Sequence, residues 1–450
     1  MRCFRIITFG CKVNQVDSAG MAQGLVDLGW RPASGEEAPD LILVNTCTVT
    51  ARADQQARQA IRRQAREFPG APLLVTGCYA QRAPGELMAL PGVRVVLGNR
   101  EKASLTQVLR EFPQEGPPLI RVSDYLAGEP FQAWHLRHFP GQTRARLKIQ
   151  DGCRHACSYC VVPQVRGPRR SLEPAEVAAA LRDLGRQGYQ EIVLTGIDLG
   201  QYGQDLNPAS NLAELLRHLA PLTRPFRLRL SSLEPQEVNA DLLQALKEFP
   251  GLCPHFHLPL QSGSAQVLQA MNRPYRPQDF QEVVRGLHRA FPEAAIGLDI
   301  LVGFPGESTA DLAATYELVA SLPITYLHVF PFSPRPGTPA ASLTPVPAPE
   351  IRRRAGIMRD LGRRKKGEFY QSQLGKVGEV LVEGPGPKKG WLKGLSANYL
   401  RVLLPGPATW RNHRLLVRFQ KVQGEFLVGE LMEPPEKIIA EGGLGKISKQ

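Results

Sequence analysis

No apolar run approaches the roughly 18 residues needed to cross a bilayer, and the start, MRCFRIITFG, has no long apolar core followed by a small-residue cleavage site. There is also no amphipathic lipid-anchoring segment, no internal repeat, and no low-complexity tract ahead of a short tail after Pro435. These absences point to a cytoplasmic chain with no membrane partner. Eight cysteines in 450 residues are too few and too unevenly placed for a disulfide scaffold, and in the cytoplasm they stay reduced. Metal binding or catalysis is the better use for them.

The rest of the composition is that of an ordinary globular protein, 43% hydrophobic and 22% charged, with length for about three domains. Charge is unevenly spread. Of the net +13, residues 351–450 supply +11, from 20 Lys and Arg against 9 Asp and Glu. A cationic end on a near-neutral body suits a polyanion, RNA or DNA before a membrane.

The first hundred residues alternate short apolar runs with helical patterns: FRIITFGC, a helix with Met21, Leu25 and Leu28 on one face, PDLILVNTC, the basic helix ADQQARQAIRRQAREF, PLLVTGC and VRVVLG. That βαβ rhythm predicts a doubly wound parallel α/β sheet. Cys11, Cys47 and Cys78 each follow an apolar run directly, so each falls at the C-terminal end of a predicted strand. In a parallel sheet those ends share one edge, where α/β folds place ligands.

Residues 113–144 lose periodicity and gain Pro and Gly, which predicts a linker. A second βα series follows, with strands ARLKIQ, EIVLTGI, FRLRLSS, HFHLPL, AIGLDILVG and YLHVFPF. Six parallel strands predict a partial (β/α)6 barrel, open enough for a large substrate. After the Pro-rich FSPRPGTPAASLTPVPAPE comes a strongly basic helix, IRRRAGIMRDLGRRKKGEF. Short alternating runs, VGEVLVEG, YLRVLLPG, RLLVRFQ and GEFLVGEL, then predict a small all-β barrel.

The stretch DGCRHACSYC, residues 151–160, places Cys153, Cys157 and Cys160 just after the first barrel strand. Structural zinc takes four ligands, with His155 the nearby candidate for a fourth, whereas a cubane iron–sulfur cluster on three thiolates leaves one iron open. Cys3 lies about 26 Å before Cys11 at roughly 3.3 Å per strand residue, and Cys253 precedes its strand, so both belong at the far rim.

With this spacing in a six-stranded partial barrel, the sequence resembles the radical S-adenosylmethionine enzymes. Adding the N-terminal trio and the terminal barrel, it is similar over nearly its whole length to the methylthiotransferases. The resemblance implies domains at 1–114 (methylthiotransferase, auxiliary cluster), 139–368 (radical SAM core) and 371–435 (the RNA-binding TRAM barrel). It implies two 4Fe-4S clusters, on Cys11, Cys47 and Cys78 and on Cys153, Cys157 and Cys160, with S-adenosylmethionine on the open iron of the second. Within the family, TFGCKVNQVDS and NTCTVTARADQQARQAIRR are similar to the branch acting on N6-threonylcarbamoyladenosine beside the tRNA anticodon. Other branches modify isopentenyladenosine or an aspartate of a small-subunit ribosomal protein; a different class altogether would be a non-catalytic iron–sulfur RNA-binding or redox-sensing protein.

The implied reaction uses one S-adenosylmethionine as methyl donor and a second as radical source, because no side-chain base can remove an adenine C2 hydrogen. Implied partners are the tRNA anticodon loop and a reducing electron donor such as a flavodoxin or ferredoxin; the sulfur donor is left open. Candidate S-adenosylmethionine contacts are Gly196, where the family has a Gly-Gly-Glu-like turn and this chain has Thr195-Gly196-Ile197, together with Ser232, Glu234, His257, Gln261 and Asp299, all placed at predicted strand ends. Arg166, Arg169 and Arg170 are candidates for RNA phosphates. In the terminal barrel Lys388, Lys389, Lys393, Arg401, Arg411, Arg414 and Arg418 alternate with Trp391, Tyr399, Trp410 and Phe419, cations for phosphates and aromatic faces for unstacked bases.

Overall fold

The computed structural model describes residues 1–432 except 112–116, 127, 135, 137–138, 140 and 223–225. At the N-terminus six parallel strands lie in the order Arg31–Pro32, Cys3–Thr8, Leu41–Thr46, Leu73–Gly77, Val93–Leu97, Leu119–Arg121. Helices cover both faces. Leu41 and Leu43 pack with Met21 and Leu25 of the helix Lys12–Asp27, while Ile42 and Val44 pack with Ala57 and Ile61 of the helix Ala51–Glu67. Alternate residues of one strand thus feed two cores, and the run reads as continuously apolar.

The sixth strand is a departure from expectation, because residues 113–144 carry no periodicity. Leu119–Arg121 is a three-residue edge strand that buries little surface, so it has no alternation to read. Farther along the same segment, Trp134 lies against Gly20, where a β-carbon would come within 2.1 Å of the indole. The segment therefore packs on the N-terminal domain.

In the centre, six parallel strands follow chain order: Arg144–Lys148, Glu191–Thr195, Arg227–Leu230, His255–Gln261, Ala295–Val302 and Tyr326–Pro331. Isolated parallel bridges, Leu228 to Leu252 and Ser232 to His257, join the two three-stranded halves. The outward residues Leu147, Ile192, Leu194, Leu228, Phe256, Leu258, Leu298 and Ile300 form the largest core with the surrounding helices. The inward side is polar instead. Arg144, Arg146 and Lys148, Glu191, Arg227 and Arg229, His255 and His257, Asp299, Tyr326 and His328 line it at every second position.

The helix Ala348–Ser372 packs along the last barrel strand and delivers Tyr370 into the core of a closed five-stranded barrel. Its strands, Val377–Pro385, Trp391–Ser396, Arg401–Pro405, Phe426–Leu431 and Arg414–Gln423, close in that order. This small barrel docks on the partial barrel through buried arginines. Arg227 donates to the Leu395 carbonyl at 2.8 Å, and Arg229 to the carbonyls of Ser396 and Ala397 at 3.2 and 3.0 Å.

Two aromatics of the predicted RNA surface belong elsewhere. Phe419 is a core residue, and Tyr399 stacks on His255 at 4.0 Å between centroids, facing the partial barrel. Phe419 alternates with cations along its strand and so points inward, where a small barrel needs its bulk, whereas Tyr399 sits in the turn between two strands.

Candidate active site between two domains

Cys11, Cys47 and Cys78 follow the C-terminal ends of three adjacent parallel strands, as the alternation predicts. Glycines make the approach possible. Gly10 has φ of +101°, and a β-carbon there would sit 2.8 Å from the Cys47 β-carbon and 3.1 Å from its sulfur. Asn14 ties the loops together, donating to the carbonyls of Phe9 at 2.7 Å and Thr46 at 3.0 Å. Burial, then the charges of Cys78 and Cys11, push the Cys47 thiol up to about 12.

Cys153, Cys157 and Cys160 occupy the loop after the first barrel strand, with Cys157 buried. Burial pushes Cys160 up to about 12, and burial followed by the Asp198 carboxylate raises Cys153. Donors nevertheless face the sulfurs. Arg273 Nη1 lies 3.3 Å from Cys157 Sγ, and the His155 backbone N–H lies 3.4 Å from Cys153 Sγ. Arg273 is itself held in an ion pair with Glu234.

Both trios fit a polynuclear cluster better than a single ion. Among the described residues, Cys153 with His155 and Asp198, and His257 with Asp299 and His328, are the groups of three whose ligand atoms lie within 4.8 Å of one another. Neither cysteine trio closes that far, whereas thiolates on one zinc, at about 2.3 Å each, would be closer still. His155, the sequence candidate for a fourth zinc ligand, turns to Asp198 at 3.3 Å and Glu237 at 3.8 Å, and those bonds raise its pKa to about 10. The raised thiols of Cys47, Cys153 and Cys160 need positive charge before they ionise, which a metal centre would supply.

The two sites adjoin. Cys78 packs against Val161 and Val165, just beyond the second trio. Asn99 Nδ2 bonds both Cys78 Sγ, at 3.6 Å, and the Val165 carbonyl, at 2.7 Å. Arg166 is buried here, bound to Asp17 at 3.1 Å, Asp151 at 3.0 Å and Asn14, which removes it as an RNA-phosphate contact. Arg170 is likewise buried, bonding the Arg166 carbonyl and lying over the Tyr125 ring, and Arg169 bonds Gln201 and Gln204. A charge run after a metal loop reads as solvated in sequence; here it welds two domains.

Of the candidate S-adenosylmethionine contacts, Gly196, Ser232, Glu234 and Gln261 lie at or just past strand C-termini. Gly196 lies against Gln150, whose Oε1 would be 2.8 Å from a β-carbon there. Gln261 ends its strand with φ of +64°, beside a bulge. His257 and Asp299 differ from the strand-end expectation, being the third and fifth residues of their strands and facing the barrel interior. There Ser232 Oγ meets His257 Nδ1 at 2.8 Å, and Asp299 meets His257 at 3.1 Å and His328 at 3.3 Å. Burial alone would raise Asp299, but the two histidines outweigh it and hold its pKa well below the usual range.

Three residues escaped the sequence reading. Asp198, two residues beyond Gly196, places its carboxylate 3.6 Å from Cys153 Sγ, and the strand-end rule could have found it. Arg273 lies in a turn with no local signature. Lys12 is only one letter of the motif in sequence, yet the side chain is half-buried; burial, then Arg146, Arg144 and Arg229, lower its pKa.

Residues 3–98 match the uncharacterized protein family UPF0004, and residues 147–319 the radical SAM superfamily. The chain is 37% identical to the threonylcarbamoyladenosine tRNA methylthiotransferase MtaB of Aquifex aeolicus over 83% of this chain and 91% of that one. It is 32% identical to the Bacillus subtilis protein of the same name, over 96% and 97%. A tRNA-2-methylthio-N(6)-dimethylallyladenosine synthase of Thermus thermophilus is 33% identical over 95% and 91%. Among solved structures, the radical S-adenosylmethionine methyltransferase TsrM of Kitasatospora setae superposes with a TM-score of 0.54 over 76% of this chain and 77% of that one at 18% identity, a likeness of fold. The chain belongs to the radical S-adenosylmethionine methylthiotransferases, in the threonylcarbamoyladenosine tRNA methylthiotransferase group.

Proposed function

We propose that the protein methylthiolates carbon 2 of N6-threonylcarbamoyladenosine beside the tRNA anticodon, with Cys11, Cys47 and Cys78 holding one 4Fe-4S cluster and Cys153, Cys157 and Cys160 the other. The observation that carries this reading is the Asn99 bridge, which ties the Cys78 sulfur to the Val165 carbonyl, in the short helix just after the second trio, across a domain boundary. When bound, the clusters would supply the electron that opens S-adenosylmethionine and the sulfur that is transferred.

The chain's own residues bind, orient and exclude water. Arg273 holds the Glu234 carboxylate and donates toward Cys157, fixing the wall of the S-adenosylmethionine site. Gly196, Ser232, Glu234 and Gln261 edge that site, and His257 and Asp299 line its floor, with Asp198 as the acid of the turn after Gly196. The inward wall of the partial barrel is polar, which suits a polar nucleoside where branched apolar layers would not. Lys388, Lys389 and Lys393 stand exposed on the small barrel as contacts for tRNA phosphates.

The working division is 1–114 for the auxiliary-cluster domain, extended by its edge strand Leu119–Arg121, 139–368 for the radical core and 371–435 for the TRAM barrel; residues past 432 lie outside those described. Among the described residues no helix is long and apolar enough to cross a membrane. The reading adds a cytoplasmic location and a flavodoxin- or ferredoxin-type donor.

Nucleoside mass spectrometry of tRNA from a strain lacking the gene tests the assignment. Expected is loss of 2-methylthio-N6-threonylcarbamoyladenosine with accumulation of its precursor. Unchanged nucleosides, or loss of the methylthio isopentenyl form instead, would overturn it.

A further inference from the structure

The helix Ala348–Ser372 carries eight cations against three carboxylates, an excess that nothing in the reaction uses. It runs from the rim of the partial barrel to the small barrel. At its start Arg354 donates to the Glu307 carbonyl at 2.8 Å and pairs with the Glu307 carboxylate, which accepts from the Gly303 N–H at 3.1 Å, directly past the C-terminal end of strand Ala295–Val302. At its end Tyr370 enters the core of the small barrel. Ala355, Met358 and Leu361 turn toward the partial barrel, which leaves the other side of the helix to solvent.

Arg352, Arg359, Arg363 and Lys366 follow at spacings of seven, four and three residues, which holds them on one flank over about 21 Å at 1.5 Å per residue. Arg352, Arg359 and Arg363 are exposed. Local carboxylates answer other cations of the helix, Glu350 for Arg353, Asp360 for Arg363 and Glu368 for Arg364. Among the described residues Arg352 and Arg359 meet none.

The row runs into a cavity. Lys366 and Arg401 line a space of about 240 Å³ together with Tyr326, His328, Tyr370 and Tyr399. The Tyr326 ring lies 5.2 Å from His328 and 5.9 Å from Tyr399 between centroids. His328 is 55% exposed and turns Nδ1 to Asp299 at 3.3 Å, so the cavity borders the wall of the substrate site. Lys366 and Arg401 share the Glu425 carboxylate, at 3.9 and 2.9 Å, which leaves one positive charge over. A row of cations suits any polyanion. A ring-lined cavity with surplus positive charge at its end suits one built of phosphates and flat bases.

We infer that Arg352, Arg359 and Arg363 carry phosphates of the RNA between the radical core and the small barrel, and that the cavity takes one unstacked base of the same loop. The inference rests on tRNA as the substrate proposed above and extends its contact surface beyond the lysines of the small barrel.

The test uses the cluster-loaded full chain and an anticodon stem-loop RNA bearing N6-threonylcarbamoyladenosine, with affinity read by fluorescence anisotropy across a salt series. In Arg352→Gln, Arg359→Gln and Arg363→Gln combined, the slope of log affinity against log salt is expected to fall by about 2 to 3. The same charge removed elsewhere, by Arg182→Gln, Arg285→Gln and Arg289→Gln on exposed positions of other helices, is expected to keep the wild-type slope. With 2-aminopurine placed in turn at each other unpaired loop position, wild type should quench one position by stacking, and His328→Leu should lose that quench. An unchanged slope in the first variant, an equal fall in both, no quenched position, or a quench that survives His328→Leu overturns the inference. Methylthiolated product alongside any of those results leaves the proposed reaction standing, whereas the expected slopes and quench without product overturn the reaction and keep the RNA surface.

Discussion

Lys148 of the first barrel strand and Asp17 of the first N-terminal helix form an ion pair of 2.8 Å with side chains only 6% and 2% exposed. Lys102 and Arg166 reach the same carboxylate at 2.8 and 3.1 Å. Asp17 thus gathers cations from both domains. Burial would raise its pKa, but Lys102, Lys148 and Arg166 outweigh burial and hold it well below the carboxylate range.

Replacing Asp17 by Asn leaves Lys148 and Arg166 with Asp151 alone and takes from Lys102 the carboxylate it pairs with. Removing one partner of a buried ion cluster costs about 3–5 kcal/mol. Anaerobic denaturant titration of Asp17→Asn should show a loss of that size, and a change below about 1 kcal/mol would contradict the role given to this carboxylate.

Glu191 provides a pH-dependent clamp between the central domain and the small barrel, since it fixes the two arginines that reach the Leu395, Ser396 and Ala397 carbonyls. Burial raises its pKa, but Arg229 and Arg227 outweigh it and bring the value down from 4.5 to about 2. A depressed carboxylate stabilises fully above its unfolded value and loses that stability as pH falls through the folded one. Wild type should therefore lose about 3 kcal/mol from this group between pH 4.5 and 2. Glu191→Gln should start weaker at pH 7 and show a shallower acid limb; superimposable acid-unfolding curves would refute the clamp.

Arg273 sets the charge beside Cys157, with Nη1 at 3.3 Å from the sulfur. A cation donating to a cluster thiolate favours the reduced cluster. EPR-monitored titration of Arg273→Gln should find a more negative potential for the cluster on this trio, with slower cleavage of S-adenosylmethionine. An unchanged or more positive potential counts against this.

The proposed reaction gives the two cysteine trios separable roles. In Cys157→Ala, 5′-deoxyadenosine formation should vanish together with methylthiolation. In Cys47→Ala, 5′-deoxyadenosine formation should persist while methylthiolation is lost. Equal behaviour of the two variants would undo the division of labour.

On the small barrel, Lys388→Ala, Lys389→Ala and Lys393→Ala combined should weaken tRNA binding for all sequences alike. The slope of log affinity against log salt should fall by about 2 if each lysine meets one phosphate. A slope identical to wild type would place the RNA elsewhere.

Parts of this were legible one residue at a time. Cysteines ending apolar runs at 11, 47 and 78 had to share a sheet edge, because parallel strands leave their C-termini on one side. Other parts depended on distant neighbours. The edge strand Leu119–Arg121 had too little buried surface to leave a pattern, and Phe419 and Tyr399 read as RNA-facing until the barrel closed around one and docked over the other.

Local spacing and strand periodicity, which a linear chain carries in full, determined the fold class and the strand-end placement of Cys11, Cys47 and Cys78, and motif resemblance carried the family. Pairings between residues far apart in sequence were settled only by tertiary structure. Arg166 became an internal brace by meeting Asp17, 149 positions away, and Asn99 joined the two trios by meeting Val165, 66 positions away. The physical reason is that a side chain's charge is written in the sequence, but its counter-charge, and so its energy and its use, depends on which surfaces folding brings into contact.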